Sequence, residues 1–157
     1  MNNVFYKKSQ PFNLIIVLSI VSIAVITIWA IKEYLHTGII SYNPIAYNIL
    51  FLVLLLLFYK LTITITHQFA EVSFGVGILY RKIPIHALDI ATARTINVAW
   101  YYGVGIRLTP EGTLFNTGIG NNLHIKTKNN RSSFFVSTTE DQAVVNAIKE
   151  AQNASNT

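Results

Sequence analysis

Two stretches without a charged residue, Phe12 to Ile31 and roughly Ile40 to Tyr59, limit what this 157-residue chain can fold into. A helix rises 1.5 Å per residue, so about 20 apolar residues cross a hydrocarbon core of roughly 30 Å. The first stretch, PFNLIIVLSIVSIAVITIWAI, reaches that length. The second, NPIAYNILFLVLLLLFY, carries Asn43, Pro44 and Asn48 near its start, where they can lie at headgroup depth, and then runs unbroken from Ile49 to Phe58. Both are expected to span a bilayer, so that residues 12–59 form a two-helix transmembrane hairpin joined by a short loop from Lys32 to about Tyr42. A cleavable signal sequence has an apolar core of about 7 to 15 residues and a small-residue cleavage site; Ala30-Ile31-Lys32 offers no such site. The first span is therefore expected to be retained.

Only 12% of residues are charged, half the fraction usual in soluble domains, and mean hydropathy is +0.43. The apolar excess sits in residues 12–59. From Lys60 onward nine Lys and Arg face six Asp and Glu, +3 of the chain's +5. The densest basic run, Lys126, Lys128 and Arg131, has three cations where a DNA binder makes six or more phosphate contacts, which argues against nucleic acid as a partner. The absence of cysteine excludes disulfides, thiolate catalysis and Cys-ligated zinc. Lys7 and Lys8 precede the first span, and Lys60, Arg81 and Lys82 follow the second, while the loop between them offsets Lys32 with Glu33. The positive-inside bias then puts both termini in the cytoplasm, with residues 1–11 as an N-terminal tail.

Beyond Lys60 the period changes from helical to alternating. LTITITH sets Leu61, Ile63 and Ile65 on one face and Thr62, Thr64 and Thr66 on the other, the pattern of a half-buried strand. Further strands are expected over Ala70 to Phe74, Ile78 to Ile83, Leu88 to Asn97, Val104 to Thr109, Thr113 to Thr117, Asn122 to Lys128 and Ser132 to Ser137, separated by Gly, Pro and Asn turns. Such spacing predicts a meandering antiparallel sheet that curls into a sandwich or small barrel. Thr139-Glu140-Asp141-Gln142 reads as a capping box, and Ala143, Val144, Ala147, Ile148 and Ala151 form one apolar stripe at helical spacing. One amphipathic helix should close a domain over residues 60–152. The polar end, 153–157, is expected to fray.

About seven antiparallel strands followed by one C-terminal helix is the element order of a pleckstrin-homology-like bent barrel. The resemblance becomes more specific in the two preceding spans and in Ile83-Pro84-Ile85, Trp100-Tyr101-Tyr102-Gly103-Val104-Gly105-Ile106-Arg107, Gly112 to Asn116 and Ser137-Thr138-Thr139-Glu140-Asp141. On these residues the chain resembles bacterial two-span membrane proteins with a C-terminal pleckstrin-homology-like domain. The resemblance implies a multi-pass protein of the bacterial inner membrane. It carries no catalytic residues and no cofactor.

The residues themselves point to interaction rather than catalysis. The acids Glu71, Asp89, Glu111, Glu140, Asp141 and Glu150 are scattered, and His36, His67, His86 and His124 lack the i, i+4 spacing of a helical metal site. Gly75-Val76-Gly77, Gly103-Val104-Gly105 and Gly118-Ile119-Gly120 lack the Lys and following helix of a phosphate loop. The expected function is a non-enzymatic, membrane-anchored module that binds a membrane protein partner or a second copy of itself. The alternative is a reader of anionic lipid headgroups. Its contact residues would be Lys126, Lys128 and Arg131, with His124 on the same strand face, and Trp100, Tyr101 and Tyr102 at headgroup depth. Arg107 is expected to pair with Asp89 or Glu111.

Overall fold

The computed structural model describes residues 4–98, 103–118 and 121–155. Two helices lead the architecture. The first, α1 (Asn13–Thr37), has 25 residues and is long and apolar enough to cross a membrane. The second, α2 (Asn43–Phe58), is equally apolar but has 16 residues, about 24 Å of rise. Gly38 ends α1 in the left-handed conformation and donates its N–H to Tyr34 O at 2.8 Å. The chain then reverses, and α2 runs back antiparallel, so that Phe12 N–H, at the start of α1, donates to Tyr59 O, at the end of α2, at 2.9 Å. Ser19 is buried between the helices, and Asn48 donates to Thr27 Oγ1 at 3.0 Å. Most other side chains of both helices remain exposed, which leaves a broad apolar surface.

The strand β1 (Val4–Pro11) precedes α1, and β2 (Lys60–Thr66) follows α2. They pair antiparallel, Gln10 opposite Leu61 and Lys8 opposite Ile63, with an irregularity between Val4 and Tyr6. This corrects the reading of residues 1–11 as a tail. Val4-Phe5-Tyr6 has strand propensity, but its partner lies some 60 residues away, beyond the helical hairpin, where no local pattern discloses it. A meander continues through β3 (Phe69–Phe74) and β4 (Leu79–Pro84), giving a four-stranded sheet in the order β1-β2-β3-β4. Leu61, Ile63, Ile65, Ala70, Val72 and Phe74 all point into the core, as the alternation predicts.

Two turns of 3-10 helix, Ile85–Ala87 and Ile90–Thr92, lead to β5 (Arg94–Asn97), so the strand expected from Leu88 covers only its last four residues. Asp89 starts the second turn by accepting from Ala91 N–H at 3.1 Å. The remaining strands are β6 (Gly105–Thr109), β7 (Gly112–Asn116), β8 (Asn121–Lys126) and β9 (Ser133–Ser137). Their sheet runs β5-β8-β9-β7-β6, and β7 and β9 are parallel. The uniformly antiparallel meander is therefore corrected: β8 and β9 form a hairpin that returns between β5 and β7. Among the described residues no ladder joins the two sheets, and the barrel does not close.

The closing helix α3 (Asp141–Ser155) packs against β1, β2 and the two 3-10 turns. It buries Val144, Val145, Ala147, Ile148 and Ala151, whereas Ala143, expected on that stripe, is exposed. The end of α3 is ordered through Ser155 rather than frayed at 153. Gln152 Nε2 donates to Ile85 O and Leu88 O, both at 2.9 Å, and Ala154 O bonds to His67 Nε2 at 3.0 Å. Glu140 does not serve as a capping side chain: Lys8 and the Tyr6 hydroxyl, on one face of β1, both bind its carboxylate.

Phe12 belongs to this core rather than to the apolar helix surface. It is 1% exposed, with its ring 6.2 Å from that of Phe74, which in turn lies 5.5 Å from Phe58 and 5.8 Å from Phe115. Burying one such side chain stabilises by about 1.5 to 3 kcal/mol. The helix pair is thus fixed to the β domain by a shared aromatic cluster and main-chain bonds. Gly75 tightens the junction: its φ is +53°, and a Cβ there would run into the carbonyls of Leu56 and Leu57.

Ile148, fully buried at the centre of the α3 stripe, gives a test of this packing. Ile148→Ala should cost about 2 to 5 kcal/mol in thermal unfolding of the full chain in detergent. Lys149→Ala, on the exposed side, should change stability by less than about 0.5 kcal/mol. Equal effects would mean that α3 does not plug the core.

Candidate functional site: a basic groove between the sheets

A cluster of cations lies where Arg81 of the first sheet meets the β8–β9 turn of the second. Arg81 projects from the inward face of β4, between the core residues Leu79 and Ile83, and its Nη2 donates to Ser132 Oγ at 2.9 Å. That bond links the first sheet to the β8–β9 turn. Arg94 on β5 and Lys126 on β8 share one sheet face, because Arg94 is paired with His124 and side chains repeat every second residue. Arg131 comes from the β8–β9 turn. Asn129 Oδ1 shapes that turn by accepting from Thr127 Oγ1 at 2.7 Å and from Arg131 N–H at 3.1 Å.

These four cations line one open cavity of about 480 Å³, with Glu111 as its only carboxylate among the described residues. The walls also carry Thr109, Thr113, Ser132 and Ser133. The β6–β7 turn forms one rim, and its position is fixed by Gly112. With φ at +126°, a Cβ on Gly112 would meet Ser133 Oγ, which instead donates to Glu111 O at 2.8 Å. The groove thus combines guanidinium and ammonium groups with hydroxyl donors. Such a set suits phosphate or carboxylate oxygens, on which charge-assisted bonds are the strong ones.

His124 lies fully buried beside this groove, its ring 4.9 Å from that of Phe135 and edge-on to it. Its Nε2–H donates to Glu111 O at 3.1 Å, which helps to hold the β6–β7 rim. Its Nδ1 has no hydrogen-bond partner among the described residues. Burial first, then the neighbouring Arg94 and Lys126, push its pKa below the usual histidine value, against the opposing pull of the Glu111 carbonyl. His124 is therefore a neutral structural group. A contact between it and lipid headgroups, as its place on the strand suggests, is ruled out by its burial.

The sequence-derived contact set divides on the structure. Lys126 and Arg131 enter the groove. Lys128 does not line it, since β8 ends at Lys126 and Lys128 follows in a turn, where its N–H donates to Ala87 O at 2.8 Å. Trp100, Tyr101 and Tyr102 lie outside the described residues. Arg81 and Arg94 complete the set, and nothing local in the sequence marks Arg94. Among the described residues Arg107 makes no ion pair with Asp89 or Glu111; Asp89 is occupied at its 3-10 turn. Away from the groove, Tyr6 and Lys8 of β1 share the Glu140 carboxylate. There the Tyr6 phenol is pushed up to about 12 by burial and by Glu140, while Lys8 and Tyr6 hold the Glu140 carboxyl below its usual range.

The His124 environment sets a pH dependence. A histidine whose folded pKa is depressed adds stability above its unfolded value of about 6.5 and loses it as pH falls through the lower folded value. The melting temperature of the full chain should therefore decline as pH drops below about 6.5, before Glu140, with its own depressed value, begins to protonate below about 4.5. His124→Gln should flatten the first of these declines, and an unchanged slope in that variant would show that His124 is not buried in the neutral form.

No protein-family model matches the chain, and neither the curated proteins nor the solved structures contain a match to it.

Proposed function

We propose that this protein is a non-enzymatic membrane-anchored module that binds an anionic group in the basic groove, with a phosphate-bearing lipid headgroup as the source. One observation carries the reading: Arg81, Arg94, Lys126 and Arg131 converge on one cavity with, among the described residues, a single opposing carboxylate. Like charges gathered in this way repel one another, and an anion relieves the repulsion.

The membrane context completes the proposal. Both α1 and α2 span the bilayer of a bacterial cell, with both termini in the cytoplasm. Support for the common side comes from the pairing of β1 with β2, which brings the chain before α1 and the chain after α2 into one sheet. Lys7, Lys8, Lys60, Arg81 and Lys82 then all lie on the side that the positive-inside bias assigns to the cytoplasm. An anionic leaflet attracts adjacent cations with about 1 kcal/mol each. The β domain is of the pleckstrin-homology-like kind, supported by its two sheets and closing helix, although its strand order departs from a simple meander. A protein partner or a second copy of the chain is the other reading, supported by Leu108, 84% exposed on β6, the outermost strand of its sheet among the described residues.

A fragment starting at Lys60 would lack β1 and Phe12, so the test uses the full chain in neutral detergent. Added phosphatidylglycerol should raise its melting temperature by several degrees more than phosphatidylcholine does, through preferential binding to the folded state. The difference should shrink with added salt and disappear in the Arg94→Glu, Lys126→Glu double variant. Inorganic phosphate producing the same rise would make the ligand a soluble anion instead. No response to either would sink the anion reading and leave the protein-partner reading in its place.

A further inference from the structure

The surface that meets the bilayer does not stop at the helices. We infer that the β3–β4 turn, Gly75 to Ile78, is itself inserted into the membrane interface, so that the chain rises out of the bilayer from Ile78 into β4 and on to Lys82. The inference rests on the membrane reading of α1 and α2 proposed above.

Continuity with the helix surface is the first argument. Val76 N–H donates to Leu56 O at 3.2 Å, and Gly75 packs on the Leu56 and Leu57 carbonyls, so the turn is bonded to the last turn of α2. Leu54 and Leu56 of α2 are exposed, and beside them Val76 and Ile78 are 56% and 67% exposed. Scattered exposed apolar residues need no explanation, but an apolar turn continuous with a lipid-facing helix does.

The order of side chains along β4 is the second argument. Ile78, Tyr80 and Lys82 repeat every second residue and all face solvent, Tyr80 at 57%. Lys82 Nζ lies 5.3 Å from the Tyr80 ring centroid and 3.2 Å from Glu71 Oε2. Apolar residue, amphipathic aromatic and cation thus succeed one another over about 13 Å of extended chain, the sequence of environments across a bilayer interface. Tyr59 and Lys60 repeat the pairing at the end of α2, with Nζ 5.1 Å from the ring centroid.

Helix length is the third. At about 24 Å, α2 falls short of a hydrocarbon core of roughly 30 Å, which draws its carboxyl end and the turn bonded to it toward the membrane. Arg81, next to Tyr80 on the inward face of β4, then sets one wall of the basic groove at the outer edge of the headgroup layer.

The chain has no cysteine, so single-cysteine variants label cleanly. Val76→Cys and Ile78→Cys in the full chain would be spin-labelled and reconstituted into phosphatidylcholine/phosphatidylglycerol vesicles. Their collision rates with oxygen and with a water-soluble nickel chelate would be measured. Val53→Cys on α2 serves as the lipid reference. Gln68→Cys, in the β2–β3 turn at the far end of β2, serves as the aqueous one. The oxygen-to-nickel ratio at positions 76 and 78 should approach that of position 53 and exceed that of position 68 several-fold. A ratio equal to that of position 68, with position 53 in lipid, would overturn the insertion of the turn alone. Should position 53 itself read as aqueous, the membrane reading fails and this inference with it.

Discussion

The pairing of β1 with β2 is the interaction on which the rest of this structure depends. It joins residues that precede the helical hairpin to residues that follow it, and so closes the chain around α1 and α2. Loop closure over some 50 residues costs entropy that grows only slowly with length, and the hairpin reduces that cost by bringing Phe12 and Tyr59 side by side. Once β1 is in place, Tyr6 and Lys8 reach Glu140 at the start of α3, and Phe12 completes the aromatic cluster around Phe74. The β domain is consequently held rigidly at the helix ends instead of hanging from a linker.

Rigidity matters for the proposed binding function because it fixes where the groove stands. A site held at a membrane surface meets headgroups at high effective concentration, so modest intrinsic affinity is enough for occupancy. The groove draws on both sheets. Arg81 enters from the sheet bonded to the helices, whereas Arg94, Lys126 and Arg131 belong to the other sheet and its turn. An anion bound among them would tie the two sheets together where no ladder of backbone bonds does.

Much of the local structure was legible in the sequence. Uncharged length disclosed the long helix, alternation in LTITITH gave the inward face of β2, and helical spacing located most of the buried stripe of α3. Long-range pairings were not legible. The partner of β1, the parallel placement of β7 against β9 and the capture of Gln152 by two carbonyls all join segments far apart in sequence, and no local periodicity encodes them. The site was half visible for the same reason. Lys126 and Arg131 stand in one basic run, but Arg81 and Arg94 join them only through the register of β5 on β8 and the approach of the two sheets. His124 illustrates the reverse error, since strand alternation aligned it with Lys126 without showing that its position is fully buried.

Hydrogen exchange along the first eleven residues tests the central claim most directly. In the full chain embedded in lipid nanodiscs, the amides of β1 that face β2 should be protected to the same order as those within β2, because both belong to one ladder. Exchange over Tyr6 to Gln10 at the rate of an unstructured peptide, while β2 and β3 stay protected, would contradict the account: the amino-terminal segment would then be a free tail, and the helices would not be locked to the domain.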